Sequence, residues 1–272
     1  KQAINIENLE LTTGDSVSRY ENGTYFGKKD YYYSINGQLS VPVVADNEQL
    51  RLKIYSVESE QDNSTNPQMK VFINNQFIQG VDTNHHFVVI PEEFIAEQTL
   101  AIRVDIYSGR EEKQFPIHLK ATIIDRLTYK VFWDFWVALD SWRAVEQDMD
   151  LNNLYAKAMK HAALALDFRQ PYSELYHESL RAAEAVLQQE LYQQEQYKLP
   201  VEAYAVGHTH IDIAWLWTVQ QAVEKGERSF TTVLKLMEEY PDYRFLQSQP
   251  QMYQYIKEQY PDLYQKIKAK II

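Results

Sequence analysis

At about residue 126 the spacing of the apolar residues changes, and that change constrains the fold more than any single motif does. Before it lie short runs rich in Val, Ile, Tyr and Phe: YYYSINGQLSVPVV, QLRLKIYSV, QMKVFINNQFIQGV, HHFVVI, TLAIRVDIYS and FPIHLKATII. Turn formers such as NG, NN, DN and SG separate them. In KVFINNQFIQG the apolar residues flank Asn74–Asn75, a pair that tolerates positive φ and suits a tight hairpin. Several strands at this spacing, with no helix between them, predict a β-sandwich over residues 1–125.

After residue 126 the apolar residues recur every three or four positions, among much Ala, Leu, Glu and Gln. RLTYKVFWDFWVALDSWRAVEQDMD, NNLYAKAMKHAALALDF and YSELYHESLRAAEAVLQQELYQQEQYKL read as three helices, a connector over 126–200. Pro171 separates the second helix from the third, and Pro200 closes the third. Phe132, Trp133, Phe135, Trp136 and Trp142 crowd the first. Aromatic residues at this density predict packing against a neighbouring domain rather than a sugar platform.

From Glu202 the pattern changes again. EAYAVG reads as a strand, 219–240 as a helix, YRFLQSQ as a second strand and 251 to about 270 as another helix. This order opens a parallel α/β sheet. Parallel sheets are buried on both faces and need several neighbouring strands, so two cannot suffice. The chain therefore reads as the N-terminal portion of a longer polypeptide. Its expected class is α+β multidomain: β-sandwich, helical connector, then the truncated start of a parallel α/β domain over 201–272.

Hydrophobic residues make up 45% and charged residues 24% of the 272, enough for a sizeable core. A net charge of −11 disfavours nucleic acid and anionic membrane surfaces, and a neutral polar ligand such as a sugar fits it. The absence of cysteine removes disulfides, thiolate metal sites and cysteine nucleophiles. No apolar run approaches the roughly 20 residues that cross a bilayer. KQAINIENLE carries no signal-peptide pattern, so a cytoplasmic location is expected.

The stretch VGHTHIDIAWLWT, 206–218, holds the chemistry. Residues at i, i+2 and i+4 of an extended segment share a face. If 206–212 stay extended, His208, His210 and Asp212 point the same way at the carboxyl end of the first α/β strand, the edge where such sheets build their sites. Imidazole and carboxylate are ordinary ligands of a catalytic zinc. Spacing alone leaves a second reading open, in which the pair is the polar end of a buried strand and Asp212 caps the next helix. Of the other histidines, His85 and His86 are adjacent and suit a turn or the surface, while His118, His161 and His177 stand alone.

VGHTHIDIAWLW resembles the first metal-ligand segment of the glycoside hydrolase family 38 α-mannosidases, particularly the bacterial branch. The resemblance continues through GERSFTTVLKLMEEYPDYRFLQSQPQMYQYIKEQYPDLYQKIK, similar to the following helix, second strand and next helix of that family. VFINNQFIQGVDTNHHFVVI is similar to the β-rich N-terminal domain of bacterial members, and 126–200 to their helical connector. Ile211 and Ala214 stand where animal relatives commonly carry Asn and Gly. The resemblance implies that His210 and Asp212 are zinc ligands and that Trp215 lines the pocket of the bound mannose. His208 precedes the pair and could orient a ligand, approach substrate or be a buried, hydrogen-bonded histidine, while Trp217, facing away from Trp215 if the segment is extended, is assigned to the core.

The implied reaction is retaining hydrolysis of α-mannosides in mannose-containing oligosaccharides, with zinc as cofactor. The nucleophile, the acid/base residue and the remaining ligands are expected beyond Ile272, so this chain alone is expected to be inactive and to bind zinc weakly. Glu224, Glu227, Glu238, Glu239, Asp242, Glu258 and Asp262 fall on helices or their ends and read as solvated. A homo-oligomer is compatible with the sequence. One rival is another metallohydrolase. HTHID approaches the His-x-His-x-Asp-His string of metallo-β-lactamase-like enzymes, with Ile213 in the place of the last histidine, and the His-x-His of amidohydrolase barrels. The other is a non-enzymatic carbohydrate-binding β-sandwich, with Tyr31, Tyr32 and Tyr33 as a conceivable platform, although such a run more often packs in core and edge.

Overall fold

The computed structural model describes residues 1–56, 67–82, 85–194, 202–215 and 217–271. The fold is mixed α/β with a large antiparallel sheet. In chain order the strands of the first part are β1 (Gln2–Asn5), β2 (Glu7–Thr13), β3 (Ser16–Arg19), β4 (Tyr25–Phe26), β5 (Tyr32–Ser40), β6 (Glu48–Tyr55), β7 (Gln68–Ile73), β8 (Gln76–Val81) and β9 (Phe87–Val89). A short helix α1 (Glu92–Ile95) precedes β10 (Thr99–Tyr107), β11 (Phe115–Pro116) and β12 (His118–Asp125). Then come α2 (Arg126–Ala144), α3 (Met149–Ala165), α4 (Glu174–Leu187), β13 (Gly207–His208), α5 (Val219–Glu239), β14 (Phe245–Leu246), α6 (Pro250–Gln259) and α7 (Pro261–Lys268).

The chain divides into two compact units, one of Lys1–Gln2, Val44–Gln49 and Ile123–Ala203, the other of Ala3–Val43, Leu50–Thr122 and Tyr204–Ile272. In the second, six strands pair in the order β3-β2-β5-β10-β7-β8, and four more in the order β1-β12-β6-β9. Alternation decides which face is buried. Across the six-stranded sheet Ile35 pairs with Val104, which pairs with Val71. All three are fully buried, as are Leu39, Leu100 and Ile73. The intervening row, Ser34–Asp105–Lys70 and Tyr32–Tyr107–Gln68, points to the other face and is polar. Two sheets, one clearly two-sided, are consistent with a β-sandwich. Asn74 and Asn75 have φ of 49° and 65°, so β7 and β8 are joined by the tight turn the sequence predicts.

The other unit is helical over 126–194. Asp125 caps α2 by accepting from Thr128 N at 2.8 Å, and its second oxygen takes His177 Nε2 at 2.8 Å and Asn47 Nδ2 at 3.0 Å. The three predicted helices are present, the first ending early at Ala144 and the second starting at Met149. Asp148 accepts from Leu151 N at 3.0 Å and starts α3 afresh. The third ends as a helix at Leu187 and continues as a π-helical turn, Gln188–Tyr192. Its expected end at Pro200 lies outside the described residues.

Only one stripe of α2 enters this unit's core, with Leu127, Val131 and Phe135 beside Tyr176 and Leu180, and Ala138 beside Ala158. Phe132, Trp133 and Trp136 occupy the opposite stripe, 52%, 43% and 44% exposed. They contact one another, Phe132 stacked on Trp136 at 6.0 Å.

Elements of 202–272 are shorter than their sequence pattern. β13 and β14 have two residues each, and 202–206 is irregular and exposed. Each strand has a single ladder partner, and a parallel pair without further neighbours has little to extend it. The last predicted helix breaks at Pro261, which lacks an N–H and starts α7. Ile211, Ala222, Phe230, Met252, Ile256, Leu263 and Ile267 form a small core here.

α5 packs onto β7 and β8. Gly80 makes that approach possible, because a Cβ there would lie 2.7 Å from the backbone of Arg228. Thr231 Oγ1 accepts from Gly80 N at 3.1 Å and Thr232 Oγ1 donates to Gly80 O at 2.9 Å.

Candidate metal site

β13 and β14 pair in parallel, Gly207 opposite Phe245 and His208 opposite Leu246. Gly207 lets Tyr243 approach closely, since a Cβ there would come 2.3 Å from Tyr243 Oη. Beyond the pair, Gln247 and Ser248 clamp the exit of β13. Gln247 Nε2 donates to Thr209 Oγ1 at 2.8 Å, and His208 Nε2 lies 3.2 Å from Ser248 Oγ. Neither residue was singled out from the sequence. The signal available was a polar run, QSQ, immediately after a predicted strand.

After His208 the chain turns. His210 has φ of 47° and Ala214 of 57°, so 206–212 is not extended and the common-face geometry expected of His208, His210 and Asp212 does not hold. The cause is local. His208 Nδ1 accepts the backbone N–H of His210 at 2.8 Å, a side-chain bond two residues on that takes the amide a strand would give its neighbour.

That bond also fixes a tautomer. An accepting Nδ1 carries a lone pair, so the ring proton sits on Nε2 and is donated to Ser248 Oγ. Both nitrogens of His208 are thereby engaged. His210 and Asp212 differ. Among the described residues neither the ring nitrogens of His210 nor the carboxylate of Asp212 takes part in a hydrogen bond or ion pair. His210 is exposed and Asp212 half-buried. The Asp212 carbonyl accepts from Trp217 Nε1 at 2.9 Å, and this bond fixes the backbone while leaving the side chain free.

Trp217 packs on the small core, as expected, and Lys225 Nζ lies 4.9 Å from its ring centre. Trp215 is 65% exposed and meets Trp217 edge to face at 5.3 Å. Imidazole and carboxylate are donors that zinc accepts. Among the described residues no group of three or more His, Cys, Asp or Glu could hold a metal ion. His210 and Asp212 therefore fit part of a metal site and do not complete one.

Of the carboxylates read as solvated, Glu224 and Glu227 are corrected: they are 6% and 5% exposed. They sit where α5 lies on the polar face of the sheet. Tyr32 Oη donates to Glu224 at 2.8 Å, and Lys70 Nζ to Glu227 at 3.1 Å. Burial, and next the Glu224 hydrogen bond, push the Tyr32 hydroxyl up to about 12. Burial also raises Glu227, an effect Lys70 only partly offsets. Beside them Arg228 pairs with Asp82 and donates to Gln68 at 3.0 Å. Burial opposes the charge on Asp82, yet His85 and Arg228 together hold it well below the usual carboxylate range.

Two cavities adjoin this network. One of about 360 Å³ is lined by Tyr32, Asp105, Tyr107 and Glu224, and the other, of about 490 Å³, by His208, Thr209, Lys225 and Tyr243. The remaining histidines have partners elsewhere: His86 meets the Phe87 ring at 4.5 Å, His118 stacks on Tyr55 at 5.0 Å, His161 pairs with Glu190 and His177 with Asp125.

Residues 200–272 match the family described as "Glycosyl hydrolases family 38 N-terminal domain". "Alpha-mannosidase G" of Dictyostelium discoideum is 45% identical over 83 residues, 30% of this chain and 8% of that protein. "Alpha-mannosidase 2C1" of Homo sapiens is 47% identical over 64 residues, 24% of this chain and 6% of that protein. "Alpha-mannosidase" of Saccharomyces cerevisiae is 26% identical over 147 residues, 50% of this chain and 13% of that protein. The chain thus spans a small part of the length of each relative.

Proposed function

We propose that this chain supplies the opening of the catalytic domain of a zinc-dependent retaining α-mannosidase acting on mannose-containing glycans. The observation that carries the reading is the family 38 match over 200–272, a segment that contains the unengaged pair His210 and Asp212. In this reading His210 gives an imidazole nitrogen and Asp212 a carboxylate oxygen to the metal. The zinc, when bound, supplies a Lewis acid suited to the 2- and 3-hydroxyls of mannose.

The chain's own residues do the positioning. Trp215 presents an exposed indole next to the pair, able to stack on a sugar ring. Thr209 and Asp212 are tied through Gln247 and Trp217, which sets the backbone on either side of His210. A retaining hydrolysis also needs two carboxylates about 5–5.5 Å apart, one attacking the anomeric carbon and one protonating the leaving oxygen. Glu224 and Glu227 do not suit those tasks, because Tyr32 and Lys70 already hold them beneath α5. We assign both catalytic carboxylates, and the other metal ligands, to polypeptide outside residues 1–272.

The test is hydrolysis of an aryl α-mannoside by the protein expressed from its complete gene. Activity should vanish on thorough chelation and return with zinc, whereas residues 1–272 alone should show no turnover. Activity that survives chelation, or turnover by the isolated chain, contradicts the proposal.

A further inference from the structure

We propose that His208 is a positioning residue for the metal-ligand pair, acting through the backbone of His210 and not by touching metal or sugar. The inference rests on the reading of His210 and Asp212 as ligands. Three observations carry it. The His208 Nδ1 lone pair takes the His210 N–H at 2.8 Å. His210 adopts φ of 47°, a left-handed conformation in which non-glycine residues are uncommon and need support. His208 is itself anchored, since its Nε2–H reaches Ser248 Oγ at 3.2 Å just past the neighbouring strand.

The ring is therefore a brace between the exits of β13 and β14, and what it braces is the turn that presents the His210 imidazole. The alternative role for a histidine two positions before a metal ligand is to be a ligand itself. Here that would require breaking one of its two hydrogen bonds, and the Nδ1 bond is the one that closes the turn. Thr209 lies between the two histidines and is clamped separately by Gln247, so the brace acts on a segment already held at one side.

The chemistry of the brace makes it separable from a general structural role. Asparagine places a carbonyl oxygen close to where Nδ1 stands, as in an Asx-turn, whereas glutamine extends its polar end toward the Nε2 position. His208→Asn should keep the bond to His210, and His208→Gln and His208→Ala should lose it. His208 is exposed, so all three variants are expected to fold, with far-UV circular dichroism as the control.

The experiment uses the protein from its complete gene for zinc and the 272-residue chain for the two spectroscopic readouts. Nitrogen-15 spectra of the imidazole report the His208 tautomer, amide exchange reports protection of the His210 N–H, and zinc titration reports affinity. The expected results are an Nε2–H tautomer and a His210 amide protected in the wild type and in His208→Asn. In the Gln and Ala variants that protection should fall by about tenfold, with zinc affinity weakened about 10–100-fold, as for groups that orient a ligand. An Nδ1–H tautomer, or unchanged His210 protection in the Gln and Ala variants, overturns the role of His208 whatever zinc does. A protein from the complete gene that binds no zinc, with tautomer and protection as expected, instead overturns the ligand reading on which the metal part depends.

Discussion

At the scale of single residues, the close contacts decide more than the charges on the surface. Gly80 is the clearest case, because two of the three atoms a Cβ would strike belong to the backbone of α5 and cannot swing aside. Gly80→Ala should cost about 1–3 kcal/mol, as overpacking does, read as a lower urea midpoint with an unchanged slope. Arg228 and Asp82 form the second case. Their side chains are 14% and 4% exposed, so Asp82→Ala strands a buried guanidinium and should cost about 3–5 kcal/mol. The pH dependence follows from the same pair. The folded-state pKa of Asp82 is depressed, so its contribution is present above the ordinary carboxylate range and is lost as pH falls below about 4. Asp82→Asn should therefore lose less stability than the wild type between neutral and acid pH. An identical acid limb in both proteins would remove Asp82 from the account. Glu227 works in the opposite sense, its raised pKa giving a contribution that is full at acid pH and is lost as pH rises.

At the scale of elements, caps and breaks explain where the helices start and stop. Thr218 accepts from Gln221 N at 3.2 Å while Gln221 Oε1 takes Thr218 N at 3.0 Å, a reciprocal box at the start of α5. Thr218→Ala should cost about 1 kcal/mol in a thermal or urea melt, and no measurable loss would show the box to be idle. Such elements also show how far the sequence could be read. The Asn74–Asn75 hairpin and the span of α5 were legible, because positive-φ residues and helical spacing are local signals. The break at Pro261 was missed, although a proline inside a helical pattern is a local signal. The two-residue lengths of β13 and β14 were not legible, since a parallel strand's length depends on neighbours that pattern alone does not count. Nor were the burial of Glu224 and Glu227 or the exposure of Trp133 and Trp136. A charged or aromatic residue at helical spacing reads the same whichever face finds a partner. His210 and Asp212 were singled out by residue type and spacing, and their backbone geometry could not be read from either. The turn at His210 comes from one side-chain bond that alternation cannot foresee.

At the scale of the molecule, residues 204–272 belong to the same compact unit as most of the β-strands. The buried charges of α5 find their partners there, Glu224 on Tyr32, Glu227 on Lys70 and Arg228 on Asp82. A fragment of 204–272 alone keeps only its small core and is below the size at which one core is comfortably stable. It should melt without cooperativity, and a cooperative transition matching the whole chain would contradict this division. Among the described residues no helix is long and apolar enough to cross a membrane.

The central claim is that His210 and Asp212 together hold a metal that neither could hold alone. Zinc content of the protein from its complete gene, measured by elemental analysis after gel filtration, tests it most directly. The account expects about one zinc per chain in the wild type and at least a tenfold loss in both His210→Ala and Asp212→Ala, with the fold intact by circular dichroism. A His210→Ala, Asp212→Ala double variant that keeps its full zinc content would contradict it.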